Sequence, residues 1–128
     1  MAVIVKYNAE MTRMLKGPDG IVDRDMRRRA ITVQQAARAS VGVRTGKLKA
    51  SIHTRRVART TGFAYEVGST QSYALVHHEG SRPHVIIASR AQTLRFTSGG
   101  RVVYARTVAH PGTRANRYLK DNLYLALV

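Results

Sequence analysis

Residues 22–41 read VDRDMRRRAITVQQAARASV. Val22, Met26, Ala30, Val33, Ala37 and Val41 recur there at steps of four or three, which places them on one stripe of an α-helix about twenty residues long. Asp23 and Asp25 stand in its first turn, where the helix dipole favours carboxylates. The opposite side carries Arg24, Arg27, Arg28, Gln34, Gln35 and Arg38.

Upstream, Asn8 is placed to cap a short helix from Ala9 to Lys16 that ends at Gly17, and Gly17-Pro18-Asp19-Gly20 breaks it from the long one. Downstream, Thr45-Gly46-Lys47-Leu48-Lys49-Ala50-Ser51-Ile52 reads as a short helix capped by Thr45, with Leu48 and Ile52 facing inward. The period then changes to two. His53 to Arg59 and residues 63–67 are strand candidates joined around Thr61-Gly62, with Phe63, Tyr65 and Val67 on one face. Residues 85–88 make a third candidate, and residues 93–97 and 101–108 flank a glycine turn at Ser98-Gly99-Gly100. After Pro111-Gly112 the helical period returns in Ala115, Leu119, Leu123 and Leu127, with Thr113 as the expected cap. The order predicts an α+β fold: a long N-terminal amphipathic helix, a small, mostly antiparallel sheet with a hairpin, and a C-terminal helix, in a single domain over residues 1–128. Regular βαβ alternation and a glycine-rich phosphate loop are absent, which argues against the doubly wound nucleotide-binding folds.

The chain has 128 residues, and its 44% apolar content suffices for one ordinary core. Twenty-two Lys and Arg against seven Asp and Glu give a net charge of +15, with a pI near 11.4, so a polyanion is the first partner to consider. With no cysteine, thiolate metal sites, disulfides and cysteine nucleophiles are excluded. The apolar run at residues 1–5 is too short for a signal-peptide core, and no stretch approaches the roughly 18 apolar residues of a membrane span. No membrane partner is expected.

Candidates for catalysis are few. Carboxylates that hold metals or move protons are scarce, with only Glu66, Glu79 and Asp121 beyond Asp25. His77-His78-Glu79 with His84 has the donor types of a zinc or manganese site, but adjacent histidines diverge and the spacing matches no metalloprotease or deaminase signature. The competing assignment is a polar sheet edge with His77 or His78 bonded to backbone. No Gly-x-Ser-x-Gly elbow is present, and His110 before Pro111 reads as a turn histidine for want of a catalytic partner. No catalytic residue, cofactor or metal is assigned.

Charge is more informative when mapped along the chain. Between residues 26 and 61 stand ten cations (Arg27, Arg28, Arg29, Arg38, Arg44, Lys47, Lys49, Arg55, Arg56, Arg59) and no acid. Arg27, Arg28 and Arg29 span about 200° of a helix circumference, so they cannot share one flat DNA-reading face. Such a surplus suits a DNA backbone, read without sequence preference, and equally suits a solvated face or acidic neighbours in an assembly. Helix-turn-helix, zinc-finger and RNP signatures are absent, and 6% aromatics leave little stacking surface for single strands. Arg114 and Arg117 would stand in the first turn of the last helix, opposing its dipole unless an external anion offsets them.

Three segments, Thr45-Gly46-Lys47-Leu48-Lys49-Ala50-Ser51-Ile52, Tyr73-Ala74-Leu75-Val76-His77-His78-Glu79-Gly80 and His110-Pro111-Gly112-Thr113-Arg114-Ala115-Asn116-Arg117-Tyr118-Leu119, occur in that order. Together they resemble the head-to-tail joining, or tail-completion, proteins of long-tailed bacteriophages. Arg117 departs from the pattern, where relatives often carry proline, as do His77-His78. The resemblance implies a non-enzymatic virion protein of the neck, assembled in the host cytoplasm. It would be a homo-oligomeric ring, six-fold by analogy, between the portal apparatus and the tail. Implied partners are neighbouring neck and tail proteins (connector or stopper, tail terminator) and the backbone of genomic double-stranded DNA. The expected contacts are Arg27, Arg28 and Arg29, the strand residues Arg55, Arg56 and Arg59, the hairpin tip Ser98, Gly99, Gly100 and Arg101, and the turn residues His110, Arg114 and Arg117. The alternative is a free, small, basic nucleic-acid-binding protein without sequence specificity. A third reading is a metal-dependent nuclease built on His77, His78 and Glu79.

Overall fold

In the computed structural model, Ala2 and residues 8–127 are described; the apolar run at residues 1–5, Ala2 apart, lies outside them. Asn8 starts α1 (Ala9–Lys16) as expected, its Oδ1 accepting from the Met11 N–H at 2.7 Å, and the Gly17 N–H closes it on the Arg13 carbonyl. The long helix α2 (Ile21–Ser40) buries Ala30, Val33 and Ala37 along the predicted stripe, with Val41 buried just after its end. Two residues placed on its solvent side have structural work instead. Arg38 donates from Nε and Nη2 to the Ile52 carbonyl at 3.0 and 2.6 Å, and Gln34 Oε1 accepts from the Thr54 hydroxyl.

The short helix α3 (Lys47–Ser51) is led by Gly46 at φ 79°, not by a Thr45 side-chain cap; Gly46 serves a left-handed turn, with open space where a Cβ would stand. β1 (His53–Arg59) and β2 (Gly62–Gly68) then pair antiparallel from His53–Gly68 to Arg59–Gly62. The long helix packs against α1, this ribbon and a C-terminal 3-10 helix (Lys120–Leu127). Ala37, Val41, Leu48, Ile52, Ala74 and Tyr118 form the core cluster, with Val67 and Leu119 against it. Each large apolar side chain removed from water there contributes about 1.5–3 kcal/mol.

The chain divides into two compact units, residues 1–74 with 117–128, and residues 75–116. Within the second, α4 (Ala74–Glu79) continues from the first unit's Ala74. His77, His78 and Glu79 therefore lie on a helix, not on a sheet edge. β3 (His84–Ile87) pairs with β6 (Thr107–His110), and β4 (Leu94–Ser98) with β5 (Arg101–Ala105), both antiparallel. The strand expected over residues 101–108 breaks at Arg106, its two parts serving different ribbons. The architecture is α+β, and among the described residues its antiparallel pairing is divided over three two-stranded ribbons.

The C-terminal helix begins later than its apolar spacing predicts. Thr113 is extended, because its N–H and carbonyl exchange bonds with Ser81 at 3.0 and 2.9 Å, so it cannot cap. The chain turns at Tyr118-Leu119 and is helical only from Lys120, as a 3-10 helix whose three-residue period takes Leu123 and Leu127 to the surface. The buried anchor is Tyr118, and burial pushes its phenol pKa up. Arg114 and Arg117 precede the helix and oppose no dipole. Among the described residues no helix is long and apolar enough to cross a membrane.

Candidate partner and DNA interface

The cation-rich stretch from residue 26 to 61 meets its counter-charges through the fold. Asp23, one turn ahead of Arg27 on α2, is fully buried. Its Oδ1 accepts from Arg56 Nε at 2.7 Å and from the Tyr65 hydroxyl at 2.9 Å. Its Oδ2 accepts from Arg27 Nη2 at 2.9 Å and from the Asp19 N–H at 3.0 Å. Tyr65 relays between the charges, since its oxygen also accepts from Arg27 Nε at 3.2 Å. The Arg56 guanidinium lies 4.3 Å from the centre of the Phe63 ring, which meets Tyr65 edge-on. Burial pushes the Asp23 carboxyl pKa up, but the bonds from Arg56, Tyr65 and the Asp19 amide outweigh it and hold the group at about 2.

Two further carboxylates collect the other arginines of the predicted runs. Asp25 accepts from Arg28 Nη2 at 2.7 Å and Arg29 Nε at 2.8 Å, and these two cations depress its pKa. Arg29 also donates to the Ala126 carbonyl at 2.9 Å. Glu66, on β2, accepts from Arg55 at 2.7 Å and Arg59 at 3.0 Å across the ribbon; the Arg55 bond is the main cause of its lowered pKa. All six arginines from 27 to 29 and from 55 to 59 thus hold intramolecular carboxylates. Arg28 and Arg55 remain 67% and 66% exposed, and pairs of that kind contribute at most about 1 kcal/mol, so an incoming anion can compete for them.

In the second unit the glycine turns of two motif segments meet each other. Gly80 and Gly112 take φ angles of 77° and 91° on either side of the Ser81–Thr113 bridge. A Cβ at Gly80 would stand 2.6 Å from the Thr113 oxygen, and one at Gly112 only 2.4 Å from the Ser81 oxygen. Glycine is needed at both positions for angle and for space. His110 works inside this turn, its Nδ1 accepting from the Gly112 N–H at 3.1 Å. Its ring stands 4.9 Å from that of His84, directly across the ribbon, whose Nδ1 donates to the Arg82 carbonyl at 2.9 Å. These bonds fix opposite tautomers: neutral His84 carries its proton on Nδ1 and neutral His110 on Nε2. His78 Nδ1 pairs with Glu79 at 2.7 Å, and among the described residues no three His, Asp or Glu side chains gather into a metal-binding group.

The hairpin tip is as the sequence predicts. Ser98 pairs with Arg101 around Gly99 and Gly100, whose φ angles of 56° and 78° suit the primed turn that follows strand twist. One face of β4–β5 turns Leu94, Phe96, Val103 and Ala105 to a half-buried side; the other presents Arg95, Thr97, Val102 and Tyr104 to solvent.

Asp23 was legible only as a dipole partner. The signal of its larger role is weak: Arg27 one turn on, and an arginine and a tyrosine on separate strands, 33 and 42 residues away. The second unit's arginines are scattered in sequence, with no run to mark them. Arg82, Arg90, Arg95, Arg101, Arg106 and Arg114 are all exposed, and among the described residues none meets a carboxylate.

A family model described as "Bacteriophage HK97-gp10, putative tail-component" matches residues 6–97. That span takes in α1 to α4, the β1–β2 ribbon and β3, and it ends within β4, ahead of the His110-Pro111-Gly112-Thr113 motif. No curated protein and no solved structure matches the chain significantly. The chain belongs to the HK97-gp10-like family of bacteriophage tail components.

Proposed function

We propose that the chain is a structural subunit of the phage neck, one of six copies in a closed ring that joins the portal apparatus to the tail and surrounds the DNA channel. The observation that carries this is how much apolar surface the single chain leaves open. Leu75, Val85, Ile87, Leu123, Tyr124 and Leu127 are all exposed. Two-stranded ribbons bearing such residues are marginal alone and gain stability from neighbours. A closed heterologous ring supplies those neighbours without open-ended growth.

In this ring, built as part of the virion in the host cytoplasm, the contact residues are the exposed outer parts of Arg28, Arg55 and Arg59, with Arg27, Arg29 and Arg56 held behind them. The hairpin tip at Ser98, Gly99, Gly100 and Arg101 and the turn with His110, Arg114 and Arg117 complete the set. Neighbouring neck and tail proteins meet these surfaces, and a subset of arginines faces the DNA backbone. Six copies carry about +90 formal charge, enough to attract the genome end, while carboxylate pairing keeps the wall from gripping DNA so tightly that ejection slows. The role is mechanical and calls for no catalysis.

Light scattering and negative-stain imaging of the purified chain, alone and with tails or filled capsids, test this. Rings, or selective binding at tail or capsid ends, are expected. A second reading, a free nucleic-acid binder, is favoured by the six arginines of the second unit that lack carboxylates. It requires a monomer that ignores tails and capsids yet binds duplex DNA with a steep salt dependence, and that outcome would displace the neck role.

A further inference from the structure

The surplus charge is unevenly matched between the two units. Carboxylates of the first unit collect Arg27, Arg28, Arg29, Arg55, Arg56 and Arg59, whereas the second unit has Glu79 as its sole acidic residue, already bonded to His78. The second unit's cations are also of one kind: six arginines and no lysine, all five lysines of the chain lying in the first unit. On the outer face of the β4–β5 ribbon, Arg95 stands directly opposite Tyr104 and Thr97 opposite Val102, with Arg101 at the tip. Tyr104 is 64% exposed and Val102 48%.

Arginine and tyrosine beside an aliphatic residue, without lysine, is the composition of a protein-binding patch; phosphate tracking uses lysine as readily and does not need exposed valine and tyrosine. The charge settles which protein surface fits. A second copy of this chain would bring a net charge of +15, and of its seven acids Asp19, Asp23, Asp25, Glu66 and Glu79 are already engaged, which leaves Glu10 and Asp121 against an excess of arginine. We propose that the outer face of the β4–β5 ribbon, with Arg95 and Tyr104 at its centre and Arg101 at its tip, docks an acidic protein surface of a neighbouring neck or tail component. The guanidinium of Arg95 takes a carboxylate of that partner while the Tyr104 ring fills an apolar recess beside it. This rests on the neck role proposed above.

The test is in vitro joining. Heads and tails from a phage lysate deficient in this protein are mixed with the full chain, and joined particles are counted by imaging and by infectivity. Wild-type chain restores joining, and Arg95→Glu with Tyr104→Ala lowers it at least about tenfold, as hot-spot removal does. Arg95→Gln, neutral and isolated, gives a smaller loss, and both variants keep the wild-type melting temperature because the side chains are exposed. Binding to a short random-sequence DNA duplex weakens far less than joining does, by no more than the changed charge at one position accounts for. If wild-type chain joins particles and the double variant joins them equally well, the docking face is wrong and the neck role stands. If duplex affinity falls in step with joining, nucleic acid is the occupant and the proposal is overturned. If wild-type chain joins nothing, the neck role fails and this proposal with it.

Discussion

Asp23 ties the long helix to the β1–β2 ribbon, because its two oxygens receive Arg27, Arg56, Tyr65 and the Asp19 amide at a fully buried position. Removing the charge leaves two guanidiniums pointing at a neutral group, which is costly in a buried site. Asp23→Asn should lower the melting midpoint at neutral pH by roughly 10 °C, whereas Glu66→Gln, which loosens exposed pairs, should cost no more than about 3 °C. The pH dependence follows from the direction of the shift. Asp23 titrates at about 2 when folded against 3.8 when free, so the unfolded chain binds the extra proton first as acid is added. The stability it supplies is complete above about pH 5 and fades as pH falls from about 4 to 2. The gap in melting temperature between wild type and Asp23→Asn should close over that window, as followed by circular dichroism; a gap that stayed constant to pH 2 would show that the carboxylate's charge is not what matters. None of this was legible locally: residue types and helical spacing put Asp23 at a helix start, but its partners arrive from strands 33 and 42 residues downstream.

At the scale of elements, the turns flanking the Ser81–Thr113 bridge decide how the second unit is tied together. Gly112→Ala forces a Cβ to within 2.4 Å of the Ser81 oxygen at φ 91°, whereas Gly99→Ala meets open space at φ 56°. The first should destabilise by at least about 2 kcal/mol and the second by about 1 kcal/mol, since only the first adds a clash to the left-handed strain. Urea unfolding gives the magnitudes, and amide exchange at Ser81 and Thr113 locates the damage; equal costs would mean the bridge yields without penalty. Elements were legible where their causes are local. The α2 stripe, the Asn8 cap and the Gly99-Gly100 turn all act within a few residues, and each is present, while the first hairpin turns one residue earlier than expected, at Thr60-Thr61, with Gly62 already paired to Arg59. The C-terminal helix is present but starts at Lys120 instead of behind a Thr113 cap, because Thr113 is captured by a residue 32 positions earlier, which no apolar spacing around Leu119 can reveal. The candidate contact residues were legible as charge runs, but whether each run is free or already paired depends on Asp19, Asp23, Asp25 and Glu66 being brought to it by the fold.

At the scale of the whole molecule, the residues that should matter most for assembly are those that contribute least to the isolated chain. Val85 and Ile87 lie on one face of the β3–β6 ribbon at 59% and 64% exposure, opposite Ala109 and Thr107, so the folded monomer gains little from them. Changing both to serine should therefore move the monomer's melting temperature by only a few degrees. In the proposed ring they meet a neighbour, and burying the remainder of each side chain is worth about 1 kcal/mol. Losing about 2 kcal/mol at every interface of a six-membered ring removes on the order of 12 kcal/mol from the closed assembly, because closure requires all of them together. Val85→Ser with Ile87→Ser should then run as a folded monomer by light scattering at concentrations where wild-type chain, alone or on tails, forms rings. Raising the salt concentration should favour wild-type rings, since screening relieves repulsion among basic subunits while leaving apolar burial intact. A double-serine variant that closes rings as readily as wild type would place the subunit interface on another face of the molecule, with the exposed C-terminal residues Leu123, Tyr124 and Leu127 as the next surface to substitute.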